Sequence, residues 1–235
     1  MLGLRKPPKP KPKLPNGVRI YAVSDIHGRA DLLQKVFAAI DHHLARAGPA
    51  RSLHVFLGDY IDRGPASRQT IDLLIDRSRR HESIFLKGNH EAFMFEVLQD
   101  AGRLEAWKEY GGFQTLMSYG LAPTIKPDRG EQNELVRALR QCLPDDHRRF
   151  FANLKQSFTC GDFFFTHAGV KPGVPLQKQR EEDLLWIREE FLQSKEDFGK
   201  FVVHGHTPVP KPEIRPNRIN IDTGAYATGI LTLLT

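Results

Sequence analysis

Leu53-His54-Val55-Phe56-Leu57-Gly58-Asp59-Tyr60-Ile61-Asp62-Arg63-Gly64 opens as a β-rich run and breaks off at a glycine and a carboxylate. Four other runs stop in the same way. Arg19-Ile20-Tyr21-Ala22-Val23-Ser24 meets Asp25-Ile26-His27-Gly28, and Ser83-Ile84-Phe85-Leu86 meets Lys87-Gly88-Asn89-His90. Phe163-Phe164-Phe165-Thr166 meets His167-Ala168-Gly169, and Phe201-Val202-Val203 meets His204-Gly205-His206. Helical spacing fills the gaps between the first runs: Leu32, Leu33, Val36, Ile40 and Leu44 share one face, and Ile71, Leu74 and Ile75 another, with Ser67 as the expected cap. Strands alternating with crossover helices predict an α/β fold, in which ligands bind beyond the carboxyl ends of the strands. The polar endings therefore imply one shared site.

Residues 92–155 read as a mostly helical insertion over one edge of that site, broken at Gly111-Gly112 and again between Pro123 and Gly130. Gln156 to Cys160 and Phe163 to Thr166 form a hairpin about Gly161-Asp162. Arg218 to Thr235 reads as further strands bent at Gly224 and Gly229. There is no internal repeat, and residues 17–235 read as a single domain.

The composition is that of an ordinary globular protein, 40% hydrophobic and 26% charged over 235 residues. No apolar run approaches the roughly 18 residues of a membrane helix, and the start of the chain is Lys/Pro-rich, so the expected location is the cytoplasm and no membrane partner is expected. Cys142 and Cys160 make no CxxC pair and read as reduced thiols. The net charge of +6 is concentrated in the first fifteen residues, where Arg5, Lys6, Lys9, Lys11 and Lys13 meet no acid. Without those five the chain carries 29 basic residues against 28 acidic, which argues against a nucleic-acid surface. Residues 1–16, with Pro7, Pro8, Pro10, Pro12 and Pro15 among the lysines, read as a flexible polyproline II arm suited at most to an acidic partner.

Asp25 and His27 are two apart and would leave on one face if the strand ran on, and a carboxylate with an imidazole suits a divalent transition metal. Asp59 adds a carboxylate able to bridge two ions, Asn89 an amide oxygen, and His167 and His206 two more imidazoles. His42, His43, His81 and His147 read as solvated or satisfied polar groups, and Asp31, Asp72 and Asp76 as helix-surface charges. His204 stays outside the ligand set.

In order along the chain, Asp25-Ile26-His27-Gly28, Gly58 to Gly64, Lys87-Gly88-Asn89-His90-Glu91, His167-Ala168-Gly169 and Gly205-His206-Thr207-Pro208 resemble the motifs of the phosphoprotein phosphatases within the calcineurin-like metallophosphoesterases. Leu185-Trp186-Ile187-Arg188 and Ile221-Asp222-Thr223-Gly224 bring the likeness nearest to the bacterial branch that includes bacteriophage lambda protein phosphatase. The resemblance implies a four-layer α/β/β/α sandwich. It also implies two divalent ions, Mn2+ or an Fe/Mn or Fe/Zn pair, bridged by a water or hydroxide that attacks phosphorus directly. Asp25, His27 and Asp59 would hold one ion, and Asp59, Asn89, His167 and His206 the other. His90 would be the general acid and Asp62 the carboxylate that orients it. Arg63 and Arg188, with Asn89 and His90, would bind the phosphate.

The activity so implied is phosphomonoester hydrolysis on phosphoserine or phosphothreonine proteins, extending to phosphotyrosine. Pro208, where many metallophosphoesterases carry a second histidine, favours the phosphatase branch. Asp62 argues against the symmetrical diadenosine tetraphosphatase, in which that position is typically not aspartate. A hydrolase of dinucleoside polyphosphates or other small phosphoesters is the alternative. A non-catalytic phosphate-binding module is the third class, disfavoured because every ligand and acid position is filled. The arm precedes the first strand and carries no motif, so deleting residues 1 to 15 should leave turnover of a small aryl phosphate unchanged. An assay of the truncated chain checks this, and a large loss of turnover would place the arm in the site.

Overall fold

Successive residues of a strand point to opposite sides, and in this chain both sides are apolar, which requires both faces of each sheet to be covered. The computed structural model describes residues 11–124 and 126–235. Its first half alternates as β1 (Val18–Val23), α1 (Ala30–Leu44), β2 (Arg51–Phe56), α2 (Ser67–Arg80) and β3 (Ser83–Phe85). A helical stretch follows: α3 (Asn89–Gln99), α4 (Leu104–Glu109), α5 (Gly112–Ser118), α6 (Arg129–Cys142) and α7 (Asp145–Ala152). The hairpin of β4 (Ser157–Cys160) and β5 (Phe163–Thr166) leads to α8 (Glu181–Trp186), α9 (Glu189–Leu192) and β6 (Phe201–His204). The chain closes with β7 (Glu213–Ile214), β8 (Arg218–Asn220), α10 (Ala225–Thr228) and β9 (Leu233–Leu234).

One sheet has the order β3-β2-β1-β9 and the other β4-β5-β6-β8-β7. Strands β1, β2 and β3 are parallel, as are β5, β6 and β8. Between the sheets, Ile20, Ala22, Leu53 and Val55 meet Phe165, Val203 and Ile219. The alternate residues Tyr21, Val23 and Phe56 pack outward among the helices of α1 to α7. On the far side Phe164 and Val202 pack against Leu184 and Phe191. The result is the expected four-layer α/β/β/α sandwich. Each fully buried Leu, Ile or Phe contributes about 1.5–3 kcal/mol, so the three clusters hold the layers together.

Several local expectations are corrected. Ser67 is the first residue of α2 and not its cap, and its hydroxyl instead accepts the Asp62 N–H at 3.1 Å. Beyond β8 the chain makes a helical turn, α10, where strands were expected, with Gly224 and Gly229 in the left-handed region at either end. The helical stretch is more than an insertion over an edge, because Trp107, Leu116, Leu139 and Phe151 belong to the largest apolar cluster. His147 is fully buried between the Tyr119 hydroxyl at 2.8 Å and Asp72 at 2.8 Å. The boundary of the arm also moves. Residues 1–10 lie outside the described ones, but Lys13 donates its N–H to Asp162 at 2.9 Å and accepts the Asp162 N–H at 3.0 Å, while Leu14 joins the inter-sheet cluster. Truncation at 15 would therefore cost stability that truncation at 10 would spare. Among the described residues no helix is long and apolar enough to cross a membrane.

A second polar network lies away from the strand ends. His54 on β2 is fully buried, accepts Arg77 Nε–H at Nδ1 over 3.2 Å and stacks on His81 at 4.8 Å. Arg77 in turn grips Asp41 at 2.6 and 3.0 Å. Burial first, and then the Arg77 guanidinium, hold His54 down at about 4, against an ordinary 6.5. The fold therefore prefers neutral His54, and its contribution is complete above pH 6.5 and lost as pH falls towards 4. One such group changes stability by at most about 1.4 kcal/mol per pH unit. His54→Gln should destabilise the protein at pH 7 and much less at pH 5, measured as urea midpoints. A gap that does not narrow would show that His54 does not titrate in this window.

Candidate metal centre and phosphate pocket

The carboxyl ends of β1, β2, β3, β5 and β6 converge, and the backbone just beyond them is bent sharply. Among the described residues, those other than glycine with positive φ are His27, Asp59, Asp62, Arg63 and His206. An L-residue there costs about 1–2 kcal/mol, so the strain is concentrated where side chains must be aimed. His27 thus reaches the pocket by a left-handed turn after β1 ends at Val23, and not by strand alternation.

What holds the bend at Asp59 is Glu91, fully buried in the first turn of α3. Its carboxylate accepts the N–H groups of Asp59 at 2.9 Å, Tyr60 at 2.8 Å and Gly88 at 2.9 Å, with Ile61 at 3.3 Å. A side chain at Gly88 would put its Cβ 2.1 Å from Asp59 Oδ1, so only glycine lets the two loops meet. Sequence reasoning quoted Glu91 within a motif but gave it no role.

The imidazole tautomers follow from backbone carbonyls. His27 Nδ1 lies 3.0 Å from Ile61 O and His167 Nδ1 2.9 Å from Leu57 O, so both donate there and turn a bare Nε2 inward. His167 Nε2 is 2.9 Å from Asn89 Oδ1, 3.2 Å from His206 Nδ1 and 3.4 Å from Asp59 Oδ1. His206 Nδ1 is also 2.9 Å from Asn89 Oδ1, while its Nε2 is buried without a partner. On the other side of Asp59, Oδ2 lies 3.5 Å from His27 Nε2 and 3.8 Å from His90 Nε2. The two metal-competent groups are therefore His27, Asp59 and His90, and Asp59, His167 and His206. Asp25 lines the same pocket, where it accepts Ser24 Oγ–H at 2.7 Å and His206 N–H at 3.0 Å.

The electrostatics call for cations. Burial, reinforced by Asp222, pushes the Asp25 carboxyl well up, and burial with Glu91 does the same to Asp59. Burial with His90 holds His27 neutral, and burial with His167 holds His206 neutral. Neutral imidazoles, a carboxylate shared between them and an orphaned ring nitrogen fit a binuclear divalent site, because cations would offset the cost of burying those carboxylates together.

Beside this centre His90 Nδ1 lies 2.8 Å from Asp62 Oδ2. Asp62 also accepts Trp107 Nε1–H at 2.7 Å and Thr115 Oγ1–H at 2.6 Å. Burial raises the Asp62 carboxyl to about 7, against the opposing hydrogen bonds of Thr115 and Trp107. Trp107 and Thr115 come from α4 and α5, far along the chain, and nothing local in the sequence marked them. Arg63 and Arg188 line the pocket with Asp25, His27, Asp59, Asn89, His90 and His206, and Arg63 lies 4.5 Å over the Tyr226 ring. Tyr110, Trp186, Pro208, Asp222 and Tyr226 complete the lining and were also missed as site residues. His204 is held by Arg218 at 3.3 Å behind the centre, outside both groups.

Known proteins share this architecture. A Halalkalibacterium halodurans protein named bis(5'-nucleosyl)-tetraphosphatase PrpE, asymmetrical, is 25% identical over 232 residues, covering 90% of this chain and 87% of its own. The Bacillus subtilis protein of that name is 26% identical over 232 residues, covering 89% and 87%. The structure of a cold-active protein tyrosine phosphatase superposes with a TM-score of 0.59 at 16% identity, covering 94% of this chain and 76% of that one. Residues 18–228 match the family model described as calcineurin-like phosphoesterase, and with the site lying at the strand ends that this match spans, the chain belongs to the calcineurin-like metallophosphoesterases.

Proposed function

We propose that the protein is a metal-dependent hydrolase of dinucleoside polyphosphates, cleaving asymmetrically to a mononucleotide and a nucleoside triphosphate when the substrate is a tetraphosphate. The observation that carries this reading is the anion basin itself. Two arginines, Arg63 and Arg188, and the positive end of α3 converge on the two His/Asp groups in a pocket of about 160 Å³. That is smaller than the roughly 300–1,000 Å³ of pockets that enclose a whole ligand, so it suits phosphoryl groups with the rest of the substrate outside. The names of relatives spanning nine-tenths of this chain support the choice of polyphosphate.

In this reading Asp25, His27 and Asp59 hold one ion and Asp59, Asn89, His167 and His206 the other. Two divalent cations there would supply an acidified water and charge stabilisation at the phosphoryl oxygens. Arg63 and Arg188 fix the phosphate. Water oxygen bonds to phosphorus as the bridging P–O bond breaks, and His90 Nε2 delivers a proton to the departing oxygen while Asp62 holds its Nδ1–H. Asp59→Asn should lose both bound metal and turnover, because one carboxylate serves both groups. Elemental analysis beside an assay of diadenosine tetraphosphate checks this, and full turnover with two metals bound would remove the shared-ligand assignment.

A second reading, phosphomonoester hydrolysis on phosphoproteins, is favoured by the His90–Asp62 pair. A serine alkoxide leaves poorly without a proton, whereas a nucleoside phosphate or nitrophenolate leaves readily. General acid catalysis is worth about 10²–10⁴-fold, so His90→Asn should slow a phosphoserine peptide by about that factor and diadenosine tetraphosphate and nitrophenyl phosphate far less, with metal content retained. Loss of metal in this variant would instead make His90 the third ligand beside His27 and Asp59. Comparing the wild-type rates on diadenosine tetraphosphate and a phosphoserine peptide decides between the two readings: a faster peptide reaction overturns the first.

A further inference from the structure

Among the described residues, the large aromatic side chains left exposed are Tyr110 at 41%, Trp186 at 38% and Tyr226 at 40%, and all three line the phosphate pocket. Their situations differ. Tyr226 is already covered by the Arg63 guanidinium at 4.5 Å and meets the His27 ring edge-on, so it holds a phosphate-binding group in place. Trp186 meets Tyr110 and His206 only at steep angles, 78° and 83°, and no ring lies parallel on its indole. It is also the wall between the phosphate pocket and a neighbouring groove of about 580 Å³ floored by Phe93 and Leu185. Glu96 and Glu182 edge this groove, and their charges are offset by Arg103 and Arg180.

We propose that Trp186 is the stacking platform of a nucleobase subsite: the base lies on the indole in this groove while its 5'-phosphate reaches the pocket. The inference rests on the nucleotide reading above and names the side from which the nucleoside enters. Three features favour a base over an apolar peptide side chain. The groove shares Trp186 with a pocket that has room only for phosphate, that shared wall is a flat aromatic surface, and the groove's edge carries carboxylates able to accept the N–H groups of a base. Base–aromatic stacking is worth about 1–3 kcal/mol, a roughly five- to 150-fold gain in affinity.

The chain has two tryptophans, and Trp107 is fully buried against Asp62, so quenching of the exposed indole reports Trp186 directly. The full-length protein with manganese is titrated with AMP and with ribose 5-phosphate, which has no base, by fluorescence and by equilibrium dialysis. AMP should quench and bind roughly five- to 150-fold more tightly than ribose 5-phosphate. Trp186→Ala should remove that advantage while Trp186→Phe keeps most of it. Equal affinities in the wild type, an advantage that survives Trp186→Ala, or quenching by a phosphoserine peptide and not by AMP would overturn the subsite. Wild-type turnover of diadenosine tetraphosphate is measured separately. If it is fast with no base effect, the subsite falls and the function stands, and if it is absent with a base effect present, the reverse holds.

Discussion

The buried carboxylate of Glu91 is the fastening on which the centre depends. Four backbone N–H groups, from Gly88 and from Asp59 to Ile61, converge on its two oxygens within 3.3 Å. Hydrogen bonds to an ionised acceptor are stronger than neutral ones, and amides left unpaired in this interior would each cost about 1–3 kcal/mol. These bonds offset the strain of the left-handed Asp59 and fix it between two groups of imidazoles. The loops after β2 and β3 are tied further by the Tyr60 hydroxyl, which donates to Leu86 O at 2.7 Å, and by His90 Nδ1 at 2.8 Å from Asp62.

The same helix start also places the imidazole of His90. His90 is the second residue of α3, one place before Glu91, so a single helix start presents Asn89, His90 and Glu91 to three different tasks. Its N–H also donates to Asp59 Oδ1 at 3.1 Å, which ties the helix to the shared carboxylate. The Asp62 side chain behind it accepts from Trp107 and Thr115, so α4 and α5 hold the carboxylate that faces the imidazole. Helices that look accessory in sequence therefore carry the orientation of the imidazole.

The pocket's mouth divides along the same lines. Tyr226 from α10 secures Arg63, while Trp186 at the end of α8 stands between the pocket and a wider groove. The ring over Arg63 and the ring facing the groove thus come from different elements.

The sequence by itself determined the alternation of strands and helices and the polar endings of five strands, because period-two and period-3.6 apolar patterns and short-range motifs are local properties of a chain. Tertiary structure alone decided how those endings are aimed. Left-handed turns at His27, Asp59 and His206, the second of them held by Glu91, replaced the simple strand alternation that the spacing of Asp25 and His27 suggested. It also decided the partners of Asp62, the burial of His147 and the docking of Lys13 and Leu14 against the β4–β5 turn. Those contacts join residues 28 to 149 positions apart, and no local pattern records which distant side chain will fill a given space. Trp186 is the plainest case: in the sequence it stands inside a short motif, Leu185 to Arg188, and only the packing of α8 beside the strand ends makes it the wall between two cavities.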